Sequence, residues 1–281
     1  MDDRLRRQYL EAMGVQVWRS RRGIPGLAAD ASAAGRGRPG SEALRVPLPV
    51  SSPAVVPARS VGDLRASGSP SCVTVAAPEM DWGQLQEGVE SCRACALCET
   101  RTRTVFGVGN RNARLMIVGE APGADEDRQG EPFVGRAGQL LDRMLAAIGL
   151  GRAQVFIANV LKCRPPGNRE PRPEEAERCA PFLARQIALV GPEVLLAVGR
   201  VSAQQLLATD TPVGQLRGRW FELGPDRAPL RVTYHPSYLL RSPEQKAKAW
   251  EDLLAVAQRL RGSTDPRQER SAEGDADRWP S

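Results

Sequence analysis

The sequence lacks any apolar run long enough to cross a membrane, which argues against a membrane protein. Its first residues, Met1 to Arg7, also lack the apolar core of a secretory signal. The chain has one histidine, which leaves cysteine as the main candidate metal ligand. These absences predict a cytoplasmic protein in a reducing compartment, where grouped cysteines bind metal more often than they form disulfides.

Arginine is in excess. The chain has 39 Lys and Arg against 33 Asp and Glu, for a formal charge of +6 and a pI near 9.3. Guanidinium groups pair with phosphates through two parallel donors, so this excess favours a polyanionic partner. Charge alone does not identify a nucleic-acid-binding protein.

Composition divides the 281 residues into one folded domain and its flanking segments. Residues 1–22 have rough helical spacing of apolar side chains, which predicts a short amphipathic helix. Residues 23–80 are rich in small residues, proline and arginine without a sustained period, which predicts a flexible linker and hence a long disordered N-terminal extension. Residues 81–261 are predicted to form the domain, and residues 262–281 a disordered polar tail.

Short apolar runs alternate with amphipathic segments inside the domain. The runs predict strands at Leu115–Val118, Val155–Leu161, Val194–Val198 and Leu230–Tyr234. The amphipathic segments predict helices over Gly138–Ile148, Pro173–Val190, Ser202–Leu207 and Pro243–Arg261. Such alternation is typical of parallel sheets with right-handed crossovers. It predicts an α/β, three-layer fold in which helices flank a central four-stranded parallel sheet.

Polar residues lie at or just beyond the end of each predicted strand. They are Glu120, in the turn Gly119–Gly123, and then Asn159, Arg200 and His235. Parallel strands end at one edge of the sheet, where open α/β sheets bind ligands, so these side chains are expected to converge. A lone histidine is more often a structural residue, but at this edge it can also donate a hydrogen bond to developing negative charge.

The cysteines are grouped unevenly. Cys92 and Cys95 form a C-x-x-C pair before the sheet, Cys163 follows the second strand, and Cys179 lies in the next helix. Four thiolates without a nearby histidine suit either a 4Fe-4S cluster or a structural zinc ion, and spacing does not separate the two. Buried free thiols are the alternative. Cys98 extends the pair into a run that resembles the start of a ferredoxin motif.

Several short motifs follow one another between Cys92 and Leu260. They are Cys92-Arg93-Ala94-Cys95, Gly119-Glu120-Ala121-Pro122-Gly123, Glu131-Pro132-Phe133-Val134-Gly135, Asn159-Val160-Leu161-Lys162-Cys163-Arg164-Pro165-Pro166-Gly167-Asn168-Arg169, Cys179, and His235-Pro236-Ser237-Tyr238-Leu239-Leu240-Arg241. Each motif is weak alone, but the ordered set is specific. It resembles the family 4 uracil-DNA glycosylases, the iron–sulfur branch of the uracil-DNA glycosylase superfamily.

The resemblance implies a cofactor and a set of site residues. The implied ligands of a 4Fe-4S cluster are Cys92, Cys95, Cys163 and Cys179, which leaves Cys98 and Cys72 as extras. The implied uracil-binding residues are Glu120, Ala121, Pro122, Phe133, Asn159 and His235. Phe133 would stack on the extruded uracil, Asn159 would read its edge, and His235 would stabilise the departing uracil anion.

One departure from the superfamily concerns the attacking water. Ala121 occupies a position where the best-known branch has an aspartate. The candidates to replace that carboxylate are Glu120 and Glu126, and we favour Glu126; an ordinary acidic helix start is the alternative. A related subgroup traps DNA covalently through a histidine after the cysteine motif. The corresponding stretch here, Arg164–Arg169, has no histidine, which excludes that route.

Candidate DNA contacts lie in two places. Arg164 and Arg169 lie on the loop between two implied cluster ligands, where guanidinium groups would bind phosphates. Leu239, Leu240 and Arg241 follow the histidine motif, and the two leucines are predicted to wedge into the gap left by the extruded base. The alternative is that both leucines pack against the last helix.

The resemblance implies a monomeric, monofunctional uracil-DNA glycosylase of base-excision repair. Its catalytic residues would be His235, Glu126 and Glu120, and its substrate single- or double-stranded DNA that contains uracil. Hydrolysis of the N-glycosidic bond would leave an abasic site. The alternatives are a non-catalytic iron–sulfur DNA-binding or redox accessory protein, which would be indifferent to substitution of His235 or Asn159, and a zinc protein on the same fold.

Overall fold

A computed structural model describes residues 77–224 and 227–262. The predicted helix at residues 1–22, most of the predicted linker including Cys72, and residues 263–281 of the predicted tail lie outside the described residues. None of the helices in the described part has the length and apolar character needed to span a membrane.

The centre of the domain is a six-stranded sheet. Its strands are β1 (Val108–Gly109), β2 (Leu115–Gly119), β3 (Phe156–Asn159), β4 (Val194–Val198), β5 (Trp220–Leu223) and β6 (Ala228–Thr233), in the order β1-β3-β2-β4-β6-β5. The four inner strands are parallel, which confirms the predicted central sheet. Antiparallel β1 and β5 close its edges and were not predicted. β1 is only two residues long, and β5 is half-exposed, so neither strand has the apolar run of a buried strand.

Helices cover both faces of the sheet. The described α-helices are α1 (Trp82–Glu90), α2 (Ala124–Gln129), α3 (Arg136–Ala147), α4 (Pro173–Val190), α5 (Arg200–Leu207), α6 (Val213–Leu216), α7 (Pro236–Arg241) and α8 (Lys246–Gly262). Each of the four predicted helices is present; the last begins with a 3₁₀ turn, Pro243–Gln245, before α8. The helices that were missed have nine residues or fewer, too few for a clear period.

The alternation of side chains along the strands divides the core into two layers. Leu115 and Ile117 of β2 pack on the side of α3 and α8, whereas Met116 and Val118 pack on the side of α4 and α5. Both layers are apolar because the central strands are buried on both faces. The three-layer α/β fold is therefore confirmed.

Both predicted domain boundaries need correction. Ala77, assigned above to the linker, lies in a 3₁₀ turn (Ala77–Glu79) and is fully buried against α1 and Phe182 of α4. Asp81 then caps α1 with reciprocal 2.9 Å hydrogen bonds to Gln84. At the other end, Gly262 belongs to α8 rather than to the tail. The apolar contacts of Ala77 with α1 and α4 place this turn with the domain, although it precedes the predicted range 81–261.

Candidate functional site

The polar residues at the strand ends converge, as the sequence predicts. Glu120, Asn159, Arg200 and His235 line one open cleft of about 750 Å³ at the carboxyl edge of the sheet. The same cleft is lined by Ala121, Pro122, Glu126, Phe133, Arg169 and Arg241. Every predicted base-binding residue is thus brought together in one place.

The floor of the cleft is formed by Asn159 and Phe133 across Gly119. A Cβ on Gly119 would lie 2.3 Å from Asn159 Oδ1 and 2.7 Å from the Phe133 ring, so only glycine fits between them. Asn159 is 2% exposed, and its Oδ1 has no hydrogen-bond partner in the described part of the chain. A buried acceptor without a donor is costly, which indicates that a ligand N–H completes it.

The Phe133 ring is held rigidly. Its backbone has a positive φ of 55°, a strained conformation for a bulky side chain. Arg152 holds the loop by donating to the Phe133 carbonyl at 3.2 Å and also to the Pro132 carbonyl. Gly138 of α3 lets the helix approach, because a Cβ there would lie 1.7 Å from the Phe133 oxygen. The loop therefore presents a fixed aromatic wall.

His235 precedes α7, and its ring lies 5.6 Å from that of Phe133, centroid to centroid. Its Nδ1 accepts the backbone N–H of Ser237 at 3.1 Å and lies 2.7 Å from the Ser237 hydroxyl. A neutral ring with Nδ1 as acceptor carries its proton on Nε2. Burial, with a smaller effect of Arg241, lowers the pKa of His235 to about 4, so the imidazole is a neutral donor at physiological pH.

The two candidate carboxylates have different surroundings. Glu126 Oε1 accepts the backbone N–H groups of Val134 (3.0 Å) and Gly135 (3.1 Å), and its Oε2 accepts that of Gly123 (3.1 Å). Three of its roughly four acceptor positions are therefore occupied. The water-positioning role of Glu126 stays a prediction; in the structure its carboxylate holds together the two loops of the cleft.

Glu120 is the carboxylate that remains available. It is half-buried, and desolvation raises its pKa, with a further rise from Glu170 that Arg200 opposes. Arg200 pairs with Glu170 across the cleft. Sequence reasoning missed Glu170, which lies on a loop with no motif spacing to mark it.

Some of the side chains predicted to contact DNA are exposed, whereas others are buried or already paired within the protein. Leu239 is 1% exposed and belongs to the core, which contradicts a wedge role for it, whereas Leu240 is 39% exposed. Arg241 is exposed at the cleft. Arg169 gives its guanidinium to the buried carboxylate of Glu175, at 2.6 and 2.9 Å, and so holds the loop instead of being free for a phosphate.

Arg164 keeps part of its donor capacity. Its Nε donates to Asn168 Oδ1 at 2.7 Å, within the loop that follows the cysteine motif. No other hydrogen bond to its guanidinium is found among the described residues. Arg164 is therefore better placed than Arg169 to receive a phosphate.

A second site lies beside the cleft. The four predicted ligands, Cys92, Cys95, Cys163 and Cys179, line one small void together with Cys98. Donors surround the sulfur atoms: Arg101 Nη1 lies 3.0 Å from Cys163 Sγ, the Lys162 amide 3.3 Å from Cys179 Sγ, and the Ala94 amide 3.5 Å from Cys92 Sγ. Such N–H donors are typical of sulfur-ligated clusters.

The cysteine side chains line the void as thiols. In the part of the chain that the structure describes, no three His, Cys, Asp or Glu side chains are grouped to hold a single metal ion. Burial raises the pKa of Cys163 to about 11 and that of Cys179 to about 12, so both remain thiols unless a cation is bound.

Lys162 is a residue that sequence reasoning passed over. It lies between Asn159 and Cys163, is 2% exposed, and donates from Nζ to the Asn159 carbonyl at 2.8 Å and to Gln186 Oε1 at 2.6 Å. Burial lowers its pKa to about 8. The signal in the sequence was a lysine directly after an apolar strand, within a cysteine motif.

The fold and the cleft place the chain in a known class of proteins. A family model described as the Uracil DNA glycosylase superfamily matches residues 106–254, and the chain belongs to that superfamily. This range contains the whole sheet and all the cleft residues described above.

Curated relatives locate the chain within the superfamily. It is 43% identical over 176 residues to a type-4 uracil-DNA glycosylase of Archaeoglobus fulgidus, a match that covers 60% of this chain and 88% of the relative. A type-4 enzyme of Pyrobaculum aerophilum is 41% identical over 180 residues, 62% of this chain and 92% of the relative. A type-4 enzyme of Thermotoga maritima is 43% identical over 160 residues, 56% of this chain and 82% of the relative. The resemblance to the type-4 branch is confirmed.

Proposed function

We propose that this protein is a uracil-DNA glycosylase that hydrolyses the N-glycosidic bond of uracil in DNA and leaves an abasic site. The observation that carries the proposal is the buried Oδ1 of Asn159, which faces Phe133 across Gly119 and has no hydrogen-bond partner among the described residues. Uracil has an N–H at its N3 position, where cytosine has an acceptor. An acceptor fixed in a buried pocket therefore selects uracil, because cytosine would leave it unpaired.

The base enters this pocket by leaving the stack, at a cost of a few kcal/mol. Stacking on Phe133 offsets part of that cost, by about 1–3 kcal/mol for an aromatic–base contact. The fixed loop supports this role, because the ring needs little rearrangement when the base arrives. Ala121 and Pro122 complete the wall opposite, without side chains that would block the base.

Cleavage separates charge, leaving positive character on the sugar and negative charge on the uracil. The neutral His235 would donate from Nε2 to uracil O2 as that charge develops, a contribution worth about 10²- to 10³-fold in rate for one preorganised donor. Glu120, whose carboxylate lies in the cleft with few partners, would accept a proton from the attacking water. Glu126 would act indirectly, by holding the loops in place.

We assign a 4Fe-4S cluster to Cys92, Cys95, Cys163 and Cys179. Four thiols that line one void, with N–H donors at their sulfur atoms, fit such a cluster. When bound, the cluster supplies covalent links among the segment before the sheet, the loop after β3 and helix α4. The hydrolytic steps need no electron transfer.

DNA would lie along the cleft. Leu240 is the exposed apolar side chain suited to fill the gap left by the base, and Arg164 and Arg241 are suited to bind flanking phosphates. A substrate of single- or double-stranded DNA, a monomeric state and a cytoplasmic setting remain predictions from the sequence. A non-catalytic DNA-binding protein would not require Asn159, His235 and Glu120 to converge.

The test is incubation of cluster-loaded protein with an oligonucleotide that contains one uracil, followed by alkali. Strand breaks at the uracil are expected for wild type, and a loss of about 10²-fold or more for His235→Ala with DNA binding retained. No breaks with either single- or double-stranded substrate would reject the proposal. Equal activity in the His235→Ala variant would reject the role of the histidine.

A further inference from the structure

Lys162 has an unusual environment. Its ammonium group is buried, yet among the described residues it forms no salt bridge with a carboxylate. A buried cation is normally paired, because the cost of desolvation is high. Here its partners are two neutral oxygens, the Asn159 carbonyl and Gln186 Oε1. None of the steps described above uses this group.

The Asn159 carbonyl lies where regular pairing of β3 ends. The amides of Val160 and Leu161 still bond to the carbonyls of Gly119 and Glu120, at 3.0 and 3.1 Å. Lys162 reaches back three residues and gives the buried Asn159 carbonyl its donor. The peptide unit after Asn159 is therefore held at both ends, by the Val160 N–H bond to Gly119 and by Lys162 at the carbonyl. Because this unit is planar, the two bonds together anchor the backbone from which the Asn159 side chain extends.

The ammonium itself is held in place. Gln186 of α4 accepts from Lys162 and donates from Nε2 to the Phe106 carbonyl at 2.9 Å, and it is fully buried. The backbone of Lys162 is fixed as well, since its N–H donates to Cys179 Sγ and its carbonyl accepts the Val105 amide at 2.8 Å. The position of Nζ is therefore determined by α4 and by two further segments.

We propose that Lys162 is a positioning residue for base recognition, whose ammonium orients the Asn159 amide toward the uracil edge. This inference rests on the proposed function. It assigns Gln186 a supporting role, because Gln186 holds the ammonium in place. It also predicts that Lys162 matters for the reaction only while the Asn159 side chain is present.

A double-mutant cycle tests this dependence. Lys162→Met removes the ammonium while keeping an unbranched side chain. Under single-turnover conditions it should lower the rate of uracil release about tenfold in the wild-type background, but about twofold or less in an Asn159→Ala background. In a Phe133→Ala background the full tenfold loss should remain. DNA affinity should change little in each case.

Gln186→Met provides a second, milder variant. It leaves Lys162 and its bond to Asn159 in place but removes one acceptor, so it should give a smaller loss that again disappears with Asn159→Ala. Val256→Ala is the matched control, because it removes buried volume from α8, a helix with no residue among those that line the cleft or the cysteine void. It should lower thermal stability without a change in rate.

Iron content and absorbance near ~400 nm are measured for every variant. The inference is supported if Lys162→Met retains iron and its effect depends on Asn159. Equal losses in the wild-type and Asn159→Ala backgrounds, or a loss explained by missing iron, would overturn it. If the wild type releases no uracil, the proposed function fails and the inference fails with it; if it releases uracil and the losses multiply, the inference alone fails.

Discussion

The cleft and the cysteine site both use the loop after β3, where Asn159 and Cys163 are four residues apart, yet the two sites differ in their chemistry. In the cleft, loops and helices already hold the side chains, and Asn159 Oδ1 has no partner among the residues that the structure describes. In the cysteine site, donors already surround the sulfur atoms, and burial raises the pKa of Cys163 and of Cys179. The cleft offers a hydrogen-bond acceptor to a ligand, whereas the cysteine site offers thiols to a cation.

Because of this difference, we expect the cleft to determine the reaction rate and the cysteine site to determine the folding stability. A preorganised cleft stabilises the transition state because its groups do not rearrange during the reaction, and its unmet hydrogen bonds reduce folding stability. The thiols, in contrast, would gain binding energy from the proposed cluster, and that energy would become folding energy. Substitutions in the cleft should therefore change rates first, and substitutions at the cysteines should change stability first.

The largest effect is expected at the cysteine site. Cys163→Ala should lose iron and lower the free energy of unfolding by on the order of 5 kcal/mol, since structural metals contribute binding energies of that size or larger. Iron analysis and thermal unfolding measure both quantities. Cys98→Ala is the matched control from the same void and should keep its iron. Full iron content in Cys163→Ala would remove the distinction between the two sites.

The next effect should lie in the cleft. Asn159→Ala is expected to lower the single-turnover rate about 10²- to 10³-fold, the loss typical of one preorganised hydrogen-bonding group. Its melting temperature should be unchanged or higher, because the substitution removes a buried acceptor without a partner. A lower melting temperature with an unchanged rate would mean that Asn159 is structural.

Within the cleft, Glu120 and Glu126 are expected to differ in the same way, one in reaction rate and the other in stability. Glu120→Gln should lower the rate about 10²-fold with stability retained, because the amide is a poor base. Glu126→Gln should instead lower the free energy of unfolding by about 1–3 kcal/mol, because it leaves backbone N–H groups of the two loops without a full acceptor. Single-turnover rates and urea unfolding curves of both variants measure these two effects. The reverse pattern would return the water-positioning role to Glu126.

The smallest effect concerns acid stability. The pKa of His235 in the folded protein is about 4, below its ordinary value of 6.5, so the unfolded chain binds the proton first. The stability from the neutral ring is present above about pH 6.5 and is lost as pH falls toward 4. Urea unfolding at pH 7 and pH 4.5 should show a smaller loss for His235→Gln than for wild type. Equal losses would mean that the ring is not desolvated.

The sequence predicted the parts of the fold that have a strong periodic signal. The buried runs of β2, β3, β4 and β6 identified the parallel sheet, and the order of strands and helices placed Asn159 and His235 at one edge. The edge strands carry no such signal. The burial of Ala77 depends on contacts with α1 and α4, which local composition does not encode.

The site shows the same limit at the level of single side chains. The sequence motifs predicted that Leu239 and Leu240 both wedge into DNA. The orientation of α7 buries Leu239 and exposes Leu240. Glu120 and Glu126 are equivalent as residue types, and only the positions of the Val134 and Gly135 amides separate their roles. Partners that are distant in sequence decide which polar group is free to act.

The most direct measurement is the release of free base by the wild-type protein in a single turnover, with matched oligonucleotides that carry uracil or cytosine at one position. The acceptor of Asn159 and the neutral His235 predict that uracil is released and that cytosine is not. Release of both bases at similar rates, or of neither while the DNA remains bound, would contradict a preformed uracil pocket.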